Sequence, residues 1–425
     1  MANILFTLFI IFVVLNVPIG IAIGLSTFGA ILASQKVPLF LVAQRLFTGL
    51  DSFPLLAIPL FMIAGSLMES GGISKRLINF ASNIVGPIPG GLAMVTVLAC
   101  MFFAAISGSA PATVVAIGSI MVPAMIEAGY DKDFAVGLIA ASGMIGVLIP
   151  PSIPFVTYGI TMNASIGKLF LAGIVPGVLF GLSFMIISYF YAKKRGYKGT
   201  AKPTWKSFLT SFKEAIWALG MPAIILGGIY GGVFTPTEAA AVACVYSLIV
   251  GFFIYRELTL QNMFKSFANA GVSSAMVGLI IAAATAMGWV LTTEQVPTNV
   301  ATAISSIAHS KFMLLLLINL ILLITGCLME LNAAIIILGP IFLPLIMQYN
   351  IDIIHFGVIM VVNLTIGLLT PPLGVNLFVA NGLQKDLTLS QVVKASLPFM
   401  IFAIIDLMIL TYVPNLSLYL THLLK

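Results

Sequence analysis

Gly146-Val147-Leu148-Ile149-Pro150-Pro151-Ser152 interrupts an apolar segment running from about Phe134 to Met162. The proline pair removes two backbone donors and disfavours helix at the residue before it, so the segment must break partway along. Half a chain later the pattern returns as Gly367-Leu368-Leu369-Thr370-Pro371-Pro372-Leu373. A shift of 221 residues aligns Asp131 with Asp352, Gly146 with Gly367, and both prolines with their twins. Two matched broken helices point to a transporter binding site built from internal repeats.

Composition sets the solvent. The 425 residues are 60% hydrophobic and 8% charged, against about 45–50% apolar and about 25% charged for soluble domains. Apolar runs of spanning length recur between short polar stretches, and the alternation of a membrane barrel is absent. This predicts an all-α polytopic protein of the inner-membrane type. The net charge of +6 is explained by seven of the 19 Lys and Arg lying between Lys193 and Lys213, a positive-inside signature and not a nucleic-acid surface. Cys100, Cys244 and Cys327 sit within apolar runs at no disulfide or metal spacing. The N-terminus lacks a basic region and a cleavage site, so it reads as a retained helix.

Taken in order, the chain divides into two repeats, 1–192 and 214–425, joined by a basic cytoplasmic loop at 193–213. Shifting by 218 places Val17-Pro18 on Thr235-Pro236, so two crossings are expected before Ser34. Val37 to Leu50 and Ser74 to Val85 read as amphipathic arms, with a span from Pro54 to Met68 between them. Gly91 to Ile106 and Ala112 to Ala128 flank the polar tip Ser107-Gly108-Ser109-Ala110-Pro111, which reads as a re-entrant hairpin. In the second half, spans are expected at Ala215 to Phe234, Ala239 to Tyr255 and Val272 to Leu291. A second hairpin follows, with arms Phe312 to Ile324 and Ala333 to Met347 around a tip at 325–332. Each half then has five crossings, one hairpin and one broken helix, in inverted orientation, with both termini periplasmic. This layout places most of the 19 Lys and Arg on the cytoplasmic side.

A broken helix exposes carbonyls on one side of the break and amides on the other, suited to a cation and a carboxylate respectively. One sodium site is therefore expected at Ser107, Gly108 and Ser109 facing Gly146, Ile149 and Pro150. Its mate is expected at Thr325 and Gly326 facing Gly367, Thr370 and Pro371. Between them Thr157, Asn163, Asn376 and Asn381, with the Asn332 amide of the second tip, are the candidates for holding a small anionic substrate. Asn363 reads as a helix brace. Glu238 follows Thr235-Pro236-Thr237, where capping a helix start is the plainer reading and a transport role the alternative. Glu330 and Asp406 are intramembrane acids with no partner evident in the sequence. His309, His355 and His422 are scattered at expected loop or interface positions. No metalloprotease motif, phosphate loop or nucleophile–base pair is present, so the chain reads as a carrier and not an enzyme.

Five ordered motifs carry a resemblance over essentially the whole chain: Ser-Gly-Ser-Ala-Pro-Ala-Thr at 107–113, Ile-Pro-Pro-Ser at 149–152, Phe-Thr-Pro-Thr-Glu-Ala-Ala-Ala at 234–241, Thr-Pro-Pro-Leu-Gly at 370–374, and the inverted halves themselves. Together they resemble the large membrane (DctM-like) subunit of TRAP transporters, the tripartite ATP-independent periplasmic carriers, and overall the sialic-acid branch (SiaM). The resemblance implies a sodium-coupled elevator in the bacterial inner membrane. Its transport domain would span approximately 90–163 and 311–382, sliding against a scaffold of the remaining helices and arms. It implies a small membrane Q subunit, separate from this chain, and a periplasmic P protein that delivers the substrate. C4-dicarboxylates or another sugar acid are the alternative cargo, and a self-sufficient sodium/dicarboxylate symporter or an ion channel would need no P protein.

Overall fold

The structure, a computed structural model, describes residues 1–35, 37–200 and 203–423. Among these, no strand occurs, and nine helices are long and apolar enough to cross a membrane. Lys36, Lys202 and Lys425, which contribute to the expected charge bias, lie outside the described residues.

The two halves repeat one order of elements. Ala2–Val14 and Ile19–Ser34 pack side by side, separated at Asn16 and Pro18 as the shifted Thr235-Pro236 turn requires. Arm helix Phe40–Leu50, span Phe53–Ser70 and arm helix Ile73–Val85 follow. The first hairpin pairs Gly91–Ser107 with Ala110–Glu127. The second pairs Lys311–Leu328 with Leu331–Gln348, so its return arm repeats the first at the same 221-residue offset at both ends. Trp205–Tyr230 and Pro236–Ile249 open the second half, the latter continuing as a π-turn over Val250–Ile254.

The second half departs from expectation most in one element. Where a span over Val272 to Leu291 was expected, a single 34-residue helix runs Leu260–Thr293. Pro54, which ends the first arm and starts the first span, has Val272 at the position 218 residues later. With no proline there, arm and span fuse. Val296–Ile307 then supplies the arm before the second hairpin, and a short helix, Asn415–Leu423, follows the last span.

Among the described residues of the basic stretch 193–213, residues 193–195 and 205–213 are helical, and 196–200 and 203–204 are not. Lys193, Lys194 and Arg195 close the helix Ile166–Arg195, where cations favour the carbonyl end, and Thr204 caps Trp205–Tyr230. The connection is sewn to its neighbours. The Gly90 amide donates to the Tyr197 carbonyl at 3.2 Å, the Thr200 amide to the Gly86 carbonyl at 2.8 Å, and the Asp131 amide to the Tyr197 hydroxyl at 3.0 Å. Burial pushes that phenol up to about 12, so it stays protonated at neutral pH.

Both Pro-Pro breaks are real. The first follows Lys132–Ser142, which tightens into a 3-10 turn over Gly143–Val147 before the chain restarts as Ile153–Thr161. Ser152 restarts it: its hydroxyl donates to the Val147 carbonyl at 2.6 Å and accepts from the Phe155 amide at 3.4 Å. The second separates Ile353–Gly367 from Val375–Gly382. Both Pro-Pro peptide bonds, Pro150-Pro151 and Pro371-Pro372, are cis. Ile166–Arg195 and Leu389–Tyr412 pack against the hairpins and broken helices, while the 34-residue helix packs on Ile19–Ser34, both elements of the first arm–span pair and the second hairpin.

Candidate transport site between two hairpin tips

The first tip is built from backbone that only glycine tolerates. Gly108 has φ +61, and a Cβ there would lie 2.6 Å from the Pro151 carbonyl oxygen. The Gly108 carbonyl accepts from the Ile153 amide at 3.4 Å, so tip and break are in direct contact. Ser109 is extended and caps Ala110–Glu127, accepting from the Ala112 amide at 3.5 Å. Three oxygens converge beside it. The Ser107 hydroxyl is 3.1 Å from the Thr113 hydroxyl and 3.3 Å from the Ser109 carbonyl, which also accepts from Thr113 at 2.8 Å. Gly146 faces this cluster so closely that a Cβ would sit 2.4 Å from the Thr113 hydroxyl and 2.7 Å from the Ser109 carbonyl. Thr113 was absent from the expected site, although it stands one helical turn after Ser109 inside the quoted motif.

The second tip is shorter than the expected 325–332. The helix Lys311–Leu328 carries Thr325 and Gly326, and the Thr325 hydroxyl donates to the Ile321 carbonyl at 2.8 Å within its own helix. Nothing in that stretch stops a helix before Met329, which is extended. Glu330 is the turn's working residue. It stands 221 positions after Ser109 and does the same job, accepting from the Ala333 amide at 2.9 Å, and it also takes the Asn332 amide at 2.8 Å. Gly326 and Gly367 meet backbone to backbone, since a Cβ on Gly367 would lie 2.3 Å from the Gly326 carbonyl. The Leu373 amide donates to the Cys327 carbonyl at 3.2 Å, echoing the tip-to-break bond of the first half. Thr370, whose hydroxyl donates to the Ile366 carbonyl at 3.1 Å, and Pro371 complete that side.

The two tips converge on one cavity of about 520 Å³. Gly108, Ser109, Glu330 and Asn332 line it together with Val147, Leu368 and Val375 from the broken helices. Its other wall is Pro18 to Gly20, Met62 and the stretch Ser273 to Ile280 of the long helix. The lining is apolar with a few polar groups, the usual make-up of a small-molecule site.

Of the five expected substrate residues, only Asn332 lines this cavity. Thr157 is buried one layer behind and donates to the Asn332 side-chain oxygen at 3.0 Å. Asn376 is also fully buried; its amide donates to the Ala140 carbonyl at 3.1 Å while its oxygen has no hydrogen-bond partner among the described residues. These two bonds brace one half against the other. Asn381 lies near the end of Val375–Gly382 with its side-chain oxygen buried and unpartnered. Asn163, at φ +51, lines a separate cleft of about 420 Å³ with Ser52, Ser165 and Phe234. Polarity within an apolar segment identified all four, but helical phase turns Thr157, Asn376 and Asn381 away from the cavity, and Asn163 lies in the turn after Ile153–Thr161.

Asn363, Glu238, Asp406 and His355 have structural partners. Asn363 donates to the Asn319 side-chain oxygen at 2.9 Å, a brace as expected. Glu238 closes a full capping box: its carboxylate accepts from the Thr235 amide and hydroxyl, both at 2.8 Å. Asp406 accepts from the Ser183 hydroxyl at 3.0 Å. His355 is buried in the first turn of Ile353–Gly367, with ring nitrogens 3.3 Å from the Ser417 hydroxyl and the Thr411 carbonyl.

Repeated hairpins and broken helices meeting at a shared cavity inside a multi-pass membrane protein define a secondary transporter. Comparison with known proteins places it within that class. Residues 6–416 match the family described as "Tripartite ATP-independent periplasmic transporter, DctM component", and the chain belongs to that family. It is 50% identical over 98% of its length to the isethionate TRAP transporter permease protein DctMQ of Oleidesulfovibrio alaskensis, of which it spans 66%. It is 45% identical to the C4-dicarboxylate TRAP transporter large permease protein DctM of Pseudomonas aeruginosa, covering 93% of each chain. With the sialic acid TRAP transporter permease protein SiaT of Haemophilus influenzae it shares 41% identity over 96% of this chain and 66% of that one. These relatives are transporter permeases, not enzymes. The Alcanivorax borkumensis YdaH transporter, whose crystal structure is described as having an unusual topology, shares the fold: the TM-score is 0.63 at 15% identity, over 90% of this chain and 87% of that one.

Proposed function

We propose that this chain is the carrier subunit of a sodium-driven importer of an organic acid anion, with N-acetylneuraminate as the first cargo to test and a C4-dicarboxylate, isethionate or another sugar acid as the alternatives. The observation that carries the reading is the single cavity shared by both hairpin tips, both broken helices and the scaffold wall. Sodium at the first tip would be held by the Ser107 and Thr113 hydroxyls and the Ser109 carbonyl, against Gly146 to Pro150. At the second tip, where the Thr325 hydroxyl is committed to its own helix, carbonyls at Gly326 and at Gly367 to Thr370 would serve. Glu330 places a carboxyl group in a cavity read as an anion site, and a cation between an ionised Glu330 and the cargo would let both be held.

In this reading the moving body comprises both hairpins and both broken helices, with Ile166–Arg195 and Leu389–Tyr412 travelling with them because they pack on those elements. It slides as an elevator past the long helix Leu260–Thr293 and the arms. The termini face the periplasm, a small membrane Q subunit completes the scaffold, and a periplasmic P protein delivers cargo.

The test is uptake into liposomes carrying the full chain with a Q subunit. N-acetylneuraminate, succinate and isethionate would each be offered with its cognate binding protein, with and without an inward sodium gradient. Uptake of one of them that needs both sodium and binding protein is expected. Equal uptake without the binding protein points to a self-sufficient symporter, and equal uptake without sodium overturns the coupling.

A further inference from the structure

A second cleft of about 240 Å³ adjoins the main cavity, sharing Met62, Ser109, Ile153 and Ser273 with it. Its polar lining comes from two bodies. Ser66, Glu69, Asn269 and Ser273 belong to the span Phe53–Ser70 and the long helix Leu260–Thr293, and Ser107 and Ser109 belong to the first hairpin tip.

Glu69 is half-buried, and no hydrogen bond or ion pair among the described residues engages its carboxylate. Of the two nearest cations in sequence, Lys75 is exposed and Arg76 is spoken for: it pairs with Glu257 at 2.7 Å, donates to the Gly72 carbonyl at 2.8 Å and covers the Tyr255 ring at 3.9 Å. Lys265, one turn from Asn269, is exposed. The cleft therefore presents one uncompensated carboxylate among hydroxyl and amide oxygens, with no basic group in its lining. An anion would be repelled there. A hard monovalent cation would find the oxygen ligands it prefers.

The cleft walls are held in register. The Ser70 and Ser266 hydroxyls pair at 2.8 Å, and Ser266 donates to the Ser66 carbonyl at 3.2 Å, fastening span to long helix. Gly65 lets the hairpin approach: a Cβ there would lie 3.2 Å from the Ser107 Cα.

We propose that this seam between scaffold and first hairpin is a further binding site for a sodium-sized cation, with Glu69 as its charged ligand and Ser66, Asn269 and Ser273 as neutral ones, closed from the hairpin side by Ser107 and Ser109, which it shares with the tip site above. The site is complete only when the hairpin stands where this structure places it, so a bound cation stabilises that position over others. Its identification as a way-station for the coupling ion rests on the sodium-driven reading above; its existence as a cation site does not.

The test is thermal unfolding of the purified full chain in detergent, titrated with sodium, lithium or potassium chloride at constant ionic strength against N-methylglucamine chloride. The wild-type chain should show cation-dependent stabilisation, and Glu69→Gln should raise the half-saturating sodium for one component about tenfold, as loss of a charged contact predicts. Glu69→Asp should restore most of that component, which separates ligation from packing, and Ser273→Ala should weaken it without touching Glu69. A sodium response unchanged in Glu69→Gln and Ser273→Ala overturns the site while leaving the sodium-driven reading intact. No response to any cation in the wild-type chain overturns the site as well. Sodium-independent uptake beside a Glu69-dependent stabilisation overturns the sodium-driven reading alone.

Discussion

The two hairpin tips occupy equivalent places in the repeat and share a backbone plan, yet their chemistry differs. Ser107-Gly108-Ser109 is small and neutral, with its glycine in left-handed backbone pressed on the first break. Met329-Glu330 is extended and carries a carboxylate into the cavity. Internal repetition has kept the helix cap, the tip-to-break hydrogen bond and the proline pair, which are backbone requirements. It has left the side chains free to differ, so one tip can offer neutral oxygens and the other a charge.

Six substitutions would break or sharpen this contrast. The largest effect is expected from Gly108→Ala, which pairs a left-handed conformation costing about 1–2 kcal/mol with a collision against the Pro151 carbonyl. Uptake should fall at least tenfold, whereas Met329→Ala, in extended backbone at the matching place, should leave uptake within about twofold. Comparable losses from both would mean that the tips are constrained alike. Next, Glu330→Gln keeps an acceptor for the Ala333 amide but removes the charge. It should raise the sodium needed for half-maximal uptake about tenfold while thermal stability stays near wild type; Ser109→Ala should instead lose about 1 kcal/mol of cap stability. A third, smaller effect is expected from Thr157→Val, which leaves the Asn332 oxygen without its donor and should cost about 1 kcal/mol by thermal unfolding. Smallest of all, Glu238→Gln retains the acceptor of its capping box and should change uptake less than about twofold. A tenfold loss there would revive a direct role in transport.

Much of this arrangement was legible in the sequence because proline and glycine act locally. The matched Pro-Pro pairs marked both breaks, and apolar arms around a polar tip marked both hairpins. What was missed depended on the absence of such signals. Without a proline at Val272, nothing marked the fusion of arm and span, and without a breaker before Met329 the second tip was placed too early. The offset that aligned the prolines also aligns Glu330 with Ser109, and following it through the tips would have named Glu330 as a cap. Asn163 and Asn381 show the opposite limit: an isolated amide in an apolar run has no periodic pattern to say which way it faces.

The 34-residue helix Leu260–Thr293 has a mechanical consequence. At about 51 Å it is much longer than the roughly 30 Å hydrocarbon layer, so it must lean steeply or run on beyond one face of the bilayer. Its counterpart in the first half is jointed at Asp51 to Pro54 and can flex there, whereas this one has no proline along its length. The frame thus stands on one hinged leg and one stiff beam, and the beam's middle third forms the cavity wall. A load applied at either end of that beam would be felt at the cargo without passing through any joint.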